Sequence, residues 1–132
     1  MIDEESAHVL RGLATTADEA AIRKQAIETM GQLKDIDGMD VLIAGLENES
    51  LEVRQAAIGA VRNIMSTDYG FRADGPPDSR KKAVADARRF WSICSANARF
   101  VEGVRNPALL KKWKKSAKWD EDVEPRFKET PK

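Results

Sequence analysis

The sequence lacks most of what a secreted or catalytic domain needs. It has one cysteine, Cys94, so no internal disulfide can form and a reducing compartment is expected. Its one histidine, His8, has no cysteine or second histidine nearby, so it has no metal-site spacing. Aromatic residues make up only 6% of the chain, and the apolar content is mostly Ala, Leu, Ile and Val. Small aliphatic side chains suit close helix–helix contact better than a β-sandwich. No apolar run approaches the roughly 20 residues that span a bilayer, and "MIDEESAHVL" has neither the basic nor the apolar region of a secretory signal. GxGxxG, P-loop, GxSxG and HExxH patterns are all absent. No cofactor and no metal are expected, and the chain is expected to be cytoplasmic and not an enzyme.

The 132 residues are 42% hydrophobic and 33% charged, a balance that fits one soluble globular domain. Net charge is zero but unevenly spread. Residues 1–66 carry 6 Lys and Arg against 12 Asp and Glu, a net of −6; residues 67–132 carry 16 against 10, a net of +6. Such asymmetry can steer a partner or align copies head to tail, or simply reflect solvated helix faces of different sign.

A repeat organises the chain. In "AIRKQAIETMGQL" (21–33) and "EVRQAAIGAVRNI" (52–64), Ile22, Ala26, Met30 and Leu33 match Val53, Ala57, Val61 and Ile64 at an offset of 31. Arg23 matches Arg54. Apolar steps of 4, 4 and 3 predict a single buried stripe on each of two α-helices. Upstream, Val9, Leu10 and Leu13 match Leu42, Ile43 and Leu46. Each unit therefore reads as a short first helix, a polar turn and a longer second helix. Between the units, "KDIDGMD" offers Asp37 or Gly38 as a break and Asp37 as a cap, with Ser50 the expected N-cap of the next second helix. Capping accounts for the carboxylates of Asp35, Asp37 and Asp40 better than cation binding, since EF-hand spacing is absent. Stacking such hairpins buries stripes that neither could bury alone.

A third second helix follows. "RKKAVADARRFW" aligns with "RQAAIGAVRNIM", so Arg80, Ala83, Val84, Ala87 and Phe90 match Arg54, Ala57, Ile58, Val61 and Ile64. No first helix fits before it; "STDYGFRADGPPDS" is too rich in Gly and Pro. Pro77 suits a first helical turn, and Asp74 and Asp78 oppose an anion pocket there. Tyr69 and Phe71 are expected to fold back over the second unit, and Cys94 to face the core.

These residues resemble the HEAT repeats, including the bacterial HEAT-like repeats of phycobilin lyases. The resemblance rests on "LIAGLENESLEVRQAAIGAVRNI" and "VLRGLATTADEAAIRKQAIETMGQL", with Val53, Arg54, Ala57 and Ile22, Arg23, Ala26 as the motif. It covers about residues 6–98 and implies an all-α fold, a short right-handed α-solenoid of helical hairpins with an irregular third unit. It also implies a protein–protein interaction module or small scaffold subunit of a larger assembly. The alternatives are nucleic-acid binding through the basic half and, by repeat similarity alone, an accessory to a chromophore or cofactor lyase.

Residues 1–104 are expected to form the repeat domain, and 105–132 a basic amphipathic helix and flexible tail. In the tail, Leu109, Leu110 and Trp113 form an apolar patch among Lys111, Lys112, Lys114, Lys115 and Lys118. That patch can dock on the exposed end of the stack, anchor a partner, or lie on an anionic membrane or nucleic acid. Arg62, Arg88, Arg89, Trp91, Leu110 and Trp113 are the candidate partner-binding residues.

Overall fold

The structure is a computed structural model, and it describes residues 3–96 together with 101, 102, 106, 108, 111, 112 and 115. Five α-helices and one 3-10 turn, with no strand among the described residues, form a short helical-repeat solenoid. Helices α1 (Glu4–Thr16) and α2 (Ala20–Gln32) make the first hairpin. A 3-10 turn (Ile36–Gly38) leads into the second, α3 (Met39–Gly45) with α4 (Leu51–Met65). The last described helix is α5 (Pro77–Ser95).

Local chemistry sets the helix starts. Asp3 caps α1 by accepting the Ser6 backbone N–H at 2.8 Å, and the Ser6 hydroxyl donates back to its carboxylate at 2.9 Å. Those bonds hold the Asp3 carboxyl below its ordinary pKa. Ser50 caps α4 as expected, accepting from the Val53 N–H, with Glu52 in the positively polarised first turn. Pro77 occupies the first turn of α5, where its missing N–H needs no partner.

Small residues set the helix spacing. A Cβ on Gly31 of α2 would lie 2.7 Å from both Cα and Cβ of Ala60, so α2 and α4 cross almost backbone to backbone. Gly45 of α3 is nearly as tight: its Cβ would lie 3.0 Å from that of Ala57 on α4 and 3.4 Å from Ile27 Cδ1 on α2. Around these crossings Ile27, Met30, Leu42, Ile43, Leu46, Val53, Val61 and Ile64 form the core.

Three expectations need correction. The first unit does not have a short first helix: α1 has 13 residues, as many as α2, while α3 has 7. Asp37 does not cap α3; Gly38 is its N-cap residue, and no side-chain bond is made there. The acidic cluster is organised by a buried ion pair, with Asp35 accepting from Arg11 Nε at 2.8 Å and from a terminal guanidinium nitrogen at 2.6 Å. The Asp35 side chain is 2% exposed. The bonds from Asp35 raise the pKa of Arg11 above its ordinary value, and they pin α1 to the chain that links the two units. A Cβ on Gly38 would lie 2.5 Å from an Asp35 carboxylate oxygen, so the turn has room for glycine only.

Helix α5 buries the face its register predicts: Ala83, Val84, Ala87, Phe90 and Cys94. More of its backbone, however, runs close to α3 than to α4. The third unit thus departs from the α2–α4 pattern of second helix against second helix. The segment before it explains why. Phe71 and Ala73 are buried, Arg54 Nε donates to the Ala73 carbonyl at 2.9 Å, and Tyr69 meets Phe90 edge-on with ring centres 5.8 Å apart. A packed loop stands where a first helix would be.

Ala57→Leu is expected to destabilise the chain by about 1–3 kcal/mol, because the added carbons must force α3 and α4 apart at Gly45; an unchanged thermal melt would refute that crossing. Arg11→Met is expected to cost about 3–5 kcal/mol in urea unfolding by leaving Asp35 buried without its partner. The double change Arg11→Met with Asp35→Leu should recover most of that loss. If the single and double variants unfold alike, the pair is not what holds the link.

Candidate interaction surfaces

The repeat arginines show how each second helix is tied to its turn. Arg23 donates to the Asp18 carbonyl at 3.2 Å, Arg54 to that of Glu49 at 2.9 Å, and Arg80 to that of Gly75 at 3.1 Å, each five residues upstream. Arg54 also reaches the Asn48 carbonyl at 2.9 Å. A planar guanidinium offers several donors to a turn whose carbonyls have no helical partner. The motif arginines are therefore structural, and α5 keeps the signature of a second helix.

Two concave surfaces remain. The larger, of about 450 Å³, runs between α2 and α4 and is lined by Lys24, Glu28, Gln32, Gln55, Gly59, Arg62 and Asn63 over a floor of Ala56 and Ala60. Its walls are the same positions of the two second helices, since Lys24, Glu28 and Gln32 match Gln55, Gly59 and Asn63 at the repeat offset of 31. Each set advances four residues at a time and so lies along one face of its helix, with the α4 row broken at Gly59. Gly59 has open space where a side chain would be. The amides offer donors and acceptors, Lys24 and Glu28 pair at 4.0 Å, and Arg62 lies 3.5 Å from Asp68. Such a groove can hydrogen-bond a polypeptide.

The second, of about 200 Å³, lies on the outer face of the first hairpin and is lined by Leu10, Leu13, Ile22, Gln25, Ala26 and Thr29. Val9, Leu13, Ile22 and Leu33 are between 40% and 56% exposed, whereas their counterparts Leu42, Leu46, Val53 and Ile64 are at or below 2%. The expected single buried stripe on α2 is thus corrected: Ala26 and Met30 are buried, but Ile22 and Leu33 at its ends are not. The repeat alignment equates positions whose neighbours differ, and in the second unit these positions pack against the first.

The candidate partner-binding residues fall on different elements. Arg62 is on the rim of the α2–α4 groove. Arg88, exposed on α5, bonds Glu47 just past α3, and Arg89, half-buried, bonds Asp86 at 3.3 Å. Trp91 is half-buried and rests against the core. Leu110 and Trp113, with Leu109, lie outside the described residues, as does the boundary at 104 and 105. Lys24, Gln32, Gln55 and Asn63 line the groove without being among the candidates, although a polar stripe at the offset of the apolar one marks their positions in the sequence. His8 is exposed, and no group of ligating side chains suited to a metal occurs among the described residues. Among the same residues, no helix is long and apolar enough to cross a membrane.

Tyr69 has a half-buried ring in a backbone with φ of 55°, and its buried hydroxyl has no hydrogen-bond partner. Burial, with Cys94 nearby, pushes the phenol above its ordinary pKa.

The family model for HEAT repeats matches residues 1–69, which takes in both complete hairpins. No curated protein and no solved structure matches the chain.

Tyr69 is the only tyrosine, so its ionisation can be followed alone in the near-ultraviolet. Its folded pKa is raised, so the stability its neutral form provides is complete below the ordinary value of about 10 and declines as pH rises past it. Phenolate absorbance is therefore expected to appear together with loss of helical circular dichroism. Ionisation near the ordinary value in a still-folded chain would contradict the buried placement.

Proposed function

The chain belongs to the HEAT-repeat family, and on that premise we propose that it is a non-catalytic protein-interaction module, a small scaffold subunit that receives a partner in the α2–α4 groove. HEAT repeats generally mediate protein–protein interactions. The observation that carries this reading is the groove's construction, with matched rows of α2 and α4 positions on either side of an alanine floor. The Gln32, Gln55 and Asn63 amides can each donate to and accept from the backbone of a bound polypeptide. Arg62 stands at the groove's rim. Arg88, Arg89 and Trp91 on α5, with Leu110 and Trp113 beyond it, are proposed as a second contact edge, with the aromatic side chains as anchors.

Nucleic-acid binding through the basic half is the weaker reading. Arg72, Arg88 and Arg89 each have a carboxylate within 4 Å, which lowers the positive potential a phosphate backbone would meet. Nothing on α2, α4 or α5 speaks for a role beside a chromophore or cofactor lyase.

The test is affinity purification of the tagged full chain from its native source, in parallel with Gly59→Trp, which fills the groove at an open helix position. A specific protein retained by the parent and lost from the folded variant is expected. Equal recovery by both would remove the groove from the reading. Retention of DNA or RNA at low salt, lost as salt rises, would transfer it to nucleic acid.

A further inference from the structure

We propose that the third unit, α5 with the loop 66–76 before it, is a cover that opens as one piece while the two hairpins stay folded. What it covers follows from the repeat. On α2, Ile27 and Met30 pack on the second unit and the turn that enters it. Ile27 Cδ1 lies 3.4 Å from where a Cβ on Gly45 would stand, and Met30 Cε 2.6 Å from that of Gly38. One repeat on, at the offset of 31, stand Ile58 and Val61 of α4, with Met65 a turn further. All three are buried. Arg54, one turn before Ile58 on the same side of α4, reaches the Ala73 carbonyl of the loop. The third unit thus lies over the face that a second helix turns to the unit after it.

Three features make this attachment weaker than the one between the hairpins. The first is fit. Helix α2 meets α4 closely because Gly31 has no side chain, whereas the α4 residue one repeat on is Arg62, which is exposed. The second is burial. Helix α5 buries five side chains over 19 residues, and only those of Val84 and Phe90 are large; α4 buries eight over 15. A segment with few buried apolar side chains opens at low cost. The third is strain in the closed form. Ser66 and Tyr69 hold left-handed φ values of 62° and 55°, and the buried Tyr69 hydroxyl has no hydrogen-bond partner. Opening relaxes both residues and hydrates the hydroxyl. Against this stand the Tyr69–Phe90 ring contact, the Arg54 bond to Ala73 and the Arg88–Glu47 pair, whose side chains are each 51% exposed. A pair so exposed holds a cover only lightly. Opening bares Ile58, Val61 and Met65, and so switches the stacking face of the second hairpin from hidden to accessible.

Native-state hydrogen exchange of the full chain, read residue by residue at rising sub-denaturing urea, tests the cover. The amides from Ala87 to Cys94 are expected to share one opening, about tenfold or more as frequent as the opening that releases α2 and α4. That opening should respond less to urea, since it exposes less surface. Tyr69→Phe removes the unsatisfied hydroxyl and keeps the ring, so it should slow α5 exchange about fivefold. Ile27→Val, between the hairpins, should speed exchange in α2 and α4 by about two- to tenfold and leave α5 at the parental rate. Exchange of α5 only in step with α2 and α4, equal acceleration of all three by Ile27→Val, or an α5 rate unmoved by Tyr69→Phe would overturn the proposal. Should either variant fail to fold, the parent's exchange profile decides alone.

Discussion

The crossing of α2 over α4 at Gly31 and Ala60 sets the dimensions of this protein. Where a glycine meets an alanine, two helices approach until their backbones are nearly in contact, and aliphatic side chains on either side are long enough to fill what remains. The side chains around this crossing are aliphatic, and the buried rings, Phe71 and Phe90, belong to α5 and the loop before it. Gly45 against Ala57 repeats the device within the second hairpin. Ala60 also helps to form the α2–α4 groove, since Ala56 and Ala60 leave its floor low between the rows of longer side chains. The packing that holds the stack together thus also shapes its candidate binding surface.

Two kinds of polar contact support this spacing. The repeat arginines bind the turn carbonyls five residues before them and so fix each hairpin internally. The Arg11–Asp35 pair acts between hairpins, tying the outer helix of one to the linker that leads into the next. Removing either partner leaves the other with no comparable replacement in a buried setting.

The two kinds of contact differ in how readily they show in the sequence. Arg23, Arg54 and Arg80 recur in register, so alignment finds them. Arg11 and Asp35 are 24 residues apart and occur once, and Asp35 sits among other acids that look like caps. The apolar register identified the buried Ala26, Met30, Ala57 and Val61, and the α5 face from Ala83 to Phe90. It could not identify the exposure of Ile22 and Leu33, because a repeat motif records what a position can pack against and not whether a neighbour is present. The position of α5 was hidden for a related reason. Its own residues specify a second helix, but its closest neighbour depends on how Tyr69, Phe71 and Ala73 fold over the preceding unit, and no periodicity encodes that loop.

The outward faces of the described helices differ. Helix α5, the longest described helix, turns Phe90 and Cys94 inward, while its exposed residues include Lys81, Lys82 and Arg88. Water can solvate a face of that kind. The first hairpin has no such arrangement: its outward positions are those that would bury against another repeat, and they are aliphatic. In a one-dimensional array stability comes from each unit and from each interface between neighbours. The first hairpin contributes one interface, to the second unit, and displays the chemistry of another. The repeat register thus carries polar side chains on the outward face of α5 and aliphatic ones on that of α1 and α2, because register fixes which way a position points and not which chemistry it needs there.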